Sequence, residues 1–260
     1  MYNTVLFSIE SGICRITLNR PDVFNSFNEE LSAEFIDALK KATKDEAVRA
    51  VVISGEGKAF CSGQDLKDIK GEVGNRSLGD SVLRRYNPMI LAIREMPKPV
   101  ICRLNGVAAG AGASLALACD IIIASESASL IEVFSNVGLV PDSGSSFFLP
   151  QLVGYNKAFE LITLASKVSA QEALQLGIVY KVVSAEELDN AVNELAQRYA
   201  AGPTKSYAIT KRMLNKAYCA TLNEMLQQEY YGQEMAGRSE DYKEGVTAFV
   251  EKRKPNFRGK

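Results

Sequence analysis

Apolar and polar positions alternate over Thr4–Glu10 and again over Ile13–Leu18, with Ser11-Gly12 between them, which predicts a β-hairpin. From Asn28 the period changes. Leu31, Phe35, Ile36 and Leu39 recur at helical spacing, so Asn28–Lys44 reads as an amphipathic helix with Asn28 as its N-cap. Val48–Ser54 is a nearly continuous apolar run, the mark of a strand buried on both faces. The glycine-rich stretch Gly55–Gly63 then reads as a turn. Arg76–Met96 is predicted helical, bent at Pro88 and stopped by Pro97 and Pro99. A strand Val100–Leu104, a turn of glycine and alanine from Asn105 to Gly112, a helix Ala111–Ala118 and a strand Asp120–Ser125 follow. Helices are expected at Asn156–Ala165 and Ala170–Leu176, and a late strand at Ile178–Val183. Beyond Ala185, Glu186–Ala201, Thr204–Ala217 and Thr221–Ser239 all show helical patterning. Strands and helices alternating through short links argue for an α/β fold with mainly parallel strands. Gly202-Pro203 is the sharpest break, so residues 1–200 are read as the core and 201–260 as a helical C-terminal region.

Residues 98–146 add chemistry to this pattern. The strand Val100–Leu104 is apolar apart from Arg103, and the helix at Ala111 opens directly out of small residues. The first N–H groups of a helix have no partner within it, and the peptide dipoles add positive potential there. With side chains this small, a ligand oxygen can reach those groups. Further on stands Pro141-Asp142-Ser143-Gly144, a carboxylate in a turn amid apolar sequence. A bare N–H donor and an isolated acid are the parts of an enzyme that stabilises an enolate and moves a proton.

Composition narrows the choices. The chain has 260 residues, 47% of them hydrophobic, enough for a substantial core in one large domain or a domain with an appendage. Its 30 basic and 31 acidic residues nearly balance, so charge gives no argument for nucleic acid or an anionic membrane. Histidine is absent. That excludes Ser-His-Asp and Cys-His catalysis in their usual forms, and histidine metal sites with them. The five cysteines include no CxxC pair and read as reduced, structural thiols. Cys61, in the first glycine turn, is a nucleophile candidate with no base beside it in sequence. The start MYNTVLFSIESG lacks the features of a signal peptide, and the longest uncharged apolar run, Gly106–Cys119, is too short to span a bilayer. A cytoplasmic protein without a bound metal is the expectation.

Several residues admit both a structural and a chemical role. The loop Gly57–Leu66 follows a strand and could simply turn the chain. Its interest rises because the second glycine turn, 106–112, also ends a strand, and in open α/β sheets ligands gather beyond the carboxyl ends of strands. Each turn could give one N–H to the same oxygen. Gly110-Ala111-Gly112-Ala113-Ser114-Leu115 begins like a dinucleotide fingerprint but has Leu115 at the third glycine position. Asp142 could cap a helix starting near Ser143 instead of catalysing. Asp120 reads as a cap or buried structural partner, Asp65 as structural, and Glu132 has no motif around it. Phe134, Phe147 and Phe148 read as core, and Lys252-Arg253-Lys254 as a solvated surface that could meet phosphate.

Together these pieces resemble the crotonase, or enoyl-CoA hydratase/isomerase, superfamily over essentially the whole chain. The resemblance rests on Ile16-Thr17-Leu18-Asn19-Arg20-Pro21 with Asn25, on Ala59-Phe60-Cys61-Ser62-Gly63-Gln64-Asp65-Leu66, on Pro97-Lys98-Pro99-Val100 with Asn105-Gly106, and on Gly245-Val246-Thr247-Ala248-Phe249 with Lys252-Arg253. It implies a spiral of ββα units followed by a helical region used in trimer formation, giving a homotrimer or a hexamer. It implies an acyl-CoA thioester as substrate, with coenzyme A part of that substrate and no separate cofactor. Two backbone N–H groups, matching Gln64 and Ala111, would bind the thioester oxygen. Gln64, Asp65, Leu66 and Lys67 would pass close to the CoA, and Phe134 and Lys252 would also meet the ligand. The two glutamates of the family's hydratases match Ser114 and Phe134, and neither can act as a carboxylate. The remaining acid is Asp142. With Tyr86-Asn87-Pro88 and Gly237-Arg238-Ser239, the sequence around it looks like the ring epoxyphenylacetyl-CoA isomerases of phenylacetate breakdown, in which an aspartate at this place is the acid/base. Two alternatives stand beside this reading. One is a general enoyl-CoA hydratase or Δ3-Δ2 isomerase using another acid such as Glu132. The other is a non-catalytic acyl-CoA binder or RNA-associated relative. The acyl group depends on loops such as Gly71–Asp80.

Overall fold

The computed structural model describes residues 2–67 and 77–260; part of the helix expected from Arg76 and most of the loop Gly71–Asp80 lie outside them. The chain opens with the expected hairpin, β1 (Val5–Glu10) antiparallel to β2 (Ile13–Leu18), turning through Ser11 and Gly12 at positive φ. The helix α1 (Glu29–Lys44) is capped as its sequence predicts: the Asn28 side chain accepts the Leu31 N–H at 2.9 Å. From here a unit repeats in which two strands are followed by a helix. β3 (Ala50–Gly55) and β4 (Ala59–Cys61) lead to α2 (Leu78–Ser81), a π-helical turn Val82–Tyr86 and α3 (Asn87–Glu95). β5 (Val100–Leu104) and β6 (Val107–Ala109) lead to α4 (Ala111–Ala118). β7 (Ile121–Ser125) and β8 (Ser129–Ile131) lead through the 3-10 turn Val133–Val137 to α5 (Ser145–Thr163). β9 (Val168–Ser169), α6 (Ala170–Gln175), β10 (Lys181–Val183) and α7 (Leu188–Ala200) follow. The chain then runs through α8 (Thr204–Ala217), α9 (Leu222–Gly237) and α10 (Glu240–Val250).

The first strand of each pair joins one sheet and the second another. The large sheet has the order β1-β2-β3-β5-β7-β10 and the small one β4-β6-β8-β9; pairing is parallel except at β1–β2 and β8–β9. This is the spiral of ββα units, an α/β fold, that the resemblance implies. It explains the apolar run at β3, where all six residues are buried. Phe35, Leu39, Ile93 and Leu115 cover one face of the large sheet, while Leu188, Val192 and Ala196 of α7 pack against Ile13, Val52, Ile101 and Ile123 on the other.

The C-terminal helices are fastened to this core by a buried charge. Lys211 of α8 sends its Nζ to Asp120 Oδ2 at 2.7 Å and to the carbonyl of Ile93 at 2.7 Å. The same carboxylate takes the Val100 N–H at 2.8 Å, so Asp120 has the structural role its position suggested. Other expectations are corrected. The stretch Gly55–Gly63 is not all turn, since it contains β4, and Cys61 therefore lies on a buried strand. The helix expected at Asn156–Ala165 begins at Ser145 and carries a break at Gly154, where φ is 76°. The strand Ile178–Val183 shrinks to its last three residues, and α10 has no counterpart in the sequence-based pattern. Phe147 is exposed, while Phe134 and Phe148 are buried. Among the described residues no helix is long and apolar enough to cross a membrane, and no group of three or more His, Cys, Asp or Glu side chains could hold a metal ion.

Candidate active site

Two turns meet beyond the ends of the small sheet. The first follows β4, where Gln64 lies opposite Phe27 in a single parallel bridge. The Phe27 N–H donates to the Gly63 carbonyl at 2.7 Å, and the Asp65 N–H donates to the Phe27 carbonyl at 3.0 Å. These two bonds use the residues flanking Gln64, so the Gln64 N–H faces away from Phe27. Its side chain is already engaged. Nε2 donates to the Phe27 carbonyl at 3.2 Å, and Oε1 accepts the Tyr86 hydroxyl. Tyr86 is itself buried edge-on against Phe27, with ring centroids 6.1 Å apart. Gln64 thus presents main chain, and its amide holds the turn in place.

The second turn follows β6. The Gly110 N–H is bound to the Ile131 carbonyl at 2.9 Å, and α4 then starts at the buried Ala111 without a side-chain cap. An N–H at this position has no partner inside the helix. The two turns are in contact. A Cβ on Gly63, where φ is 88°, would stand 2.8 Å from the Ala109 carbonyl oxygen and 3.4 Å from the Ala111 nitrogen. One on Gly112 would stand 2.1 Å from the Cys61 carbonyl oxygen. Only residues without a side chain let β4 and the start of α4 approach this closely. That approach sets the turn just before Gln64 directly against the start of α4 at Ala111.

Asp142 lies in the turn before α5, where the chain reverses through Ser143 and Gly144 at positive φ. Its carboxylate accepts the Ser143 hydroxyl at 2.8 Å and does not cap the helix; the N-cap position belongs to Gly144. The turn is held by its main chain instead. The Asp142 carbonyl takes the Ser145 N–H at 3.1 Å and the Ser114 hydroxyl at 3.1 Å. The same hydroxyl lies 3.2 Å from the Gly110 carbonyl, so its proton is shared between the first turn of α4 and the acid turn. Burial pushes the Asp142 carboxyl above its ordinary value, with the Ser143 hydroxyl opposing the shift. Phe134 stands over the opening of α4: its Cζ would be 3.8 Å from a Cβ on Gly110.

The other expected positions divide. Asp65 is buried and paired with Arg20 at 3.0 Å, and its Oδ1 accepts the Lys67 N–H at 3.1 Å. Burial raises its pKa, but these donors outweigh burial and hold it below the ordinary value. Arg20 and Asn25, both in the first quoted motif, are struts here: Asn25 accepts the Arg20 N–H and donates to the carbonyls of Glu56 and Ala59, each at 2.9 Å. Leu66 and Lys67 are exposed beside Gln64. Lys252 is exposed after α10, and no hydrogen bond or ion pair joins it to Gln64–Lys67 among the described residues. Cys61 donates to the Asn25 carbonyl at 3.1 Å, and burial pushes its thiol up to about 12, which removes it as a nucleophile.

Three residues already singled out in the sequence gain a definite role in three dimensions. Tyr86 and Ser114 are positioning groups whose partners lie far away in sequence. Glu132 is a buried carboxyl, 5% exposed, with neither oxygen hydrogen-bonded among the described residues. Burial pushes it up to about 7, with Ser145 pulling down and the Asp142 charge pushing up. Its apolar neighbours Ile131 and Val133 were the available sequence signal: a charge set inside an apolar run.

The family resemblance is tested by comparison with known proteins. The sequence model of the enoyl-CoA hydratase/isomerase family matches residues 8–260. The 1,2-epoxyphenylacetyl-CoA isomerase of Escherichia coli is 42% identical over 100% of both chains. The trans-2-decenoyl-[acyl-carrier-protein] isomerase of Streptococcus mutans is 35% identical over 100% of this chain and 99% of that one. Among solved structures, an enoyl-CoA hydratase from Bacillus anthracis superposes with a TM-score of 0.92 at 32% identity, covering 99% of this chain and 100% of that chain. Sequence, fold and full-length coverage agree, and the chain belongs to the enoyl-CoA hydratase/isomerase family, the crotonase superfamily.

Proposed function

We propose that the protein is an acyl-CoA isomerase that converts ring 1,2-epoxyphenylacetyl-CoA to the oxepin thioester, shifts double bonds in unsaturated acyl-CoAs, or does both. The thioester oxygen sits between the Gln64 and Ala111 amides. Asp142 takes a proton from the carbon beside the thioester carbonyl, and the electron pair of that C–H bond moves into an enolate whose charge rests on the oxygen. Losing one such amide donor typically costs roughly 3–4 kcal/mol in the barrier. The same carboxyl then returns the proton elsewhere on the acyl chain, so the reaction is an isomerisation with no net gain or loss. Phe134 lines the acyl group, and Asp65, Leu66 and Lys67 border the coenzyme A. Lys252 completes the coenzyme A contacts from the C-terminal region.

One observation carries this reading. The Ser114 hydroxyl ties the turn bearing Asp142 to the first turn of α4, so the acid and the free amide of Ala111 belong to one rigid unit. Ser114 and Phe134 also stand where the resemblance puts a hydratase's two glutamates. The likeness to the E. coli isomerase points the same way. The deciding experiment is one enzyme preparation assayed with epoxyphenylacetyl-CoA, a 3-enoyl-CoA and a 2-enoyl-CoA. Isomerisation of either of the first two, at least 10²-fold faster than hydration of the third, is expected. Rapid hydration with no isomerisation would overturn it. That outcome would favour a second reading, supported by the orphaned carboxyl of Glu132: a hydratase using Glu132 as its acid.

The C-terminal helices support the assembly. Leu222, Tyr230, Phe249 and Val250 on α9 and α10 are all more than half exposed, apolar side chains of the kind that an assembly would cover. We read them as the face of a homotrimer or a hexamer of two trimers. Equilibrium sedimentation should return a mass of three or six chains, and a monomer at micromolar concentration would refute the assembly.

A further inference from the structure

We propose that Ser143 is a positioning residue for Asp142: its hydroxyl holds one oxygen of the carboxylate and leaves the other to take the proton from carbon. The inference rests on the reading of Asp142 as acid/base and names the group that aims it.

Contact, burial and backbone shape all point to this role. Ser143 is 3% exposed, and its hydroxyl donates to Asp142 Oδ1 at 2.8 Å. No other hydrogen bond or ion pair engages the carboxylate among the described residues. Asp142 itself is only partly buried, so Oδ2 is the oxygen left for a substrate. Ser143 has φ 54°, in the left-handed region, and Gly144 follows at 82°. A serine there is strained where a glycine would not be. The main-chain bonds of the turn do not require that serine, since the Ser145 N–H and the Ser114 hydroxyl both go to the carbonyl of Asp142. What serine adds at 143 is the hydroxyl, and the hydroxyl serves the acid. Strain retained beside a reacting group marks a functional constraint.

Orientation follows from this bond. A carboxylate free to turn about its Cβ–Cγ bond presents either oxygen in many directions. Holding Oδ1 fixes the plane of the group, and with it the lone pairs of Oδ2 that form the new O–H bond as the C–H bond breaks. The donor also favours the ionised form, against the effect of burial. The elements packed on the turn add no charge of their own: α4, the 3-10 turn Val133–Val137 and the first turn of α5 carry no ionisable side chain. Glu132, the residue before the 3-10 turn, is the carboxyl whose proton affinity the Asp142 charge raises, so its own titration has to be separated from the effect of Ser143.

The test compares S143A and S143G in the full-length protein, with circular dichroism as the check of fold. Both lack the hydroxyl. The first keeps the left-handed strain and the second relieves it, so a change common to both belongs to the hydroxyl. Infrared difference spectroscopy across roughly pH 3–9 follows the carboxyl whose band is missing in D142N. Its proton affinity should be about tenfold higher in both serine variants than in the wild type, and the shift should persist when E132Q is added to every protein compared. An unchanged midpoint, or a shift that E132Q abolishes, would overturn the proposal. In parallel, with whichever acyl-CoA is isomerised, the acid limb of kcat should move up by about one pH unit in both variants. The plateau above it should fall about three- to tenfold, with KM within about twofold. A residue that merely shaped the turn would scale the rate evenly across pH, and a wild-type acid limb in either variant would refute the positioning role. If no acyl-CoA is isomerised, the proposed activity fails while the spectroscopic arm still decides whether Ser143 holds the carboxylate.

Discussion

Changing Asp142 to asparagine should lower the isomerisation rate by roughly 10²–10⁴-fold, the usual contribution of a positioned acid/base. Asparagine has the size and shape of the carboxyl but cannot take a proton from carbon. The fold around it has little reason to change. Ser114 and Ser145 both bond the main-chain carbonyl of residue 142, and the Ser143 hydroxyl can donate to an amide oxygen as well as to a carboxylate. The loss should therefore appear in kcat more than in KM, because the proposed coenzyme A contacts and amide donors lie on other residues. The wild type should also show an acid limb above the ordinary carboxylate range, since burial raises the Asp142 pKa and only its ionised form can abstract the proton. Activity is then present above that limb and lost as pH falls through it. D142N with kcat within threefold of the wild type, measured on the pure isomerisation, would remove Asp142 from the mechanism. If E132Q were the inactive variant instead, the acid would be Glu132 and the hydratase reading would take its place.

The elements read correctly from the sequence are those whose signal is local. Asn28 caps α1 because an amide side chain next to an amphipathic stretch satisfies a free N–H three residues on. The strand β5 lies between Pro99 and the glycine turn, and α4 opens where small residues begin, so both were bounded by backbone chemistry alone. The short strands β4, β6, β8 and β9 have two or three residues each, too few for any period, and exist because their neighbours in the spiral hold them. α10 hid for another reason. Phe249 and Val250 are exposed in a single chain, so its apolar positions do not form an inward stripe. The site divides in the same way. The glycines around Gln64 and Ala111 mark the close approach of two turns because their smallness is itself the signal. The partners that fix it are nonlocal: Arg20 with Asp65, Tyr86 with Gln64, Ser114 with Asp142. Glu132 entered from the sequence only as an alternative acid: its apolar neighbours hinted at burial, but its lack of a hydrogen-bond partner shows only in the fold.

That burial also makes Glu132 a stability liability, and E132Q should relieve it. The carboxyl keeps its proton up to about pH 7 in the folded chain, against an ordinary value of 4.5 once unfolded. Between those values the folded state binds the extra proton, so stability falls as pH rises through the window and is flat above it. At 1.36 kcal/mol for each pH unit of difference, the full passage costs the wild type roughly 3 kcal/mol. Glutamine is neutral at every pH and fills the same space, so its variant escapes this loss. The two proteins should be of similar stability at pH 4, where Glu132 is protonated in both states and each side chain is an uncharged polar group in the same patch. By pH 8 the variant should unfold on the order of 6–12 °C higher, at the rate of about 2–4 °C per kcal/mol for a chain of this size. Asp142, raised in the same direction, steepens the decline in both proteins and cancels from the comparison. Thermal unfolding at fixed protein concentration across pH 4–8 measures the difference directly. Parallel curves for the two proteins would mean that Glu132 ionises as easily inside the fold as outside it, and its stability cost would not survive.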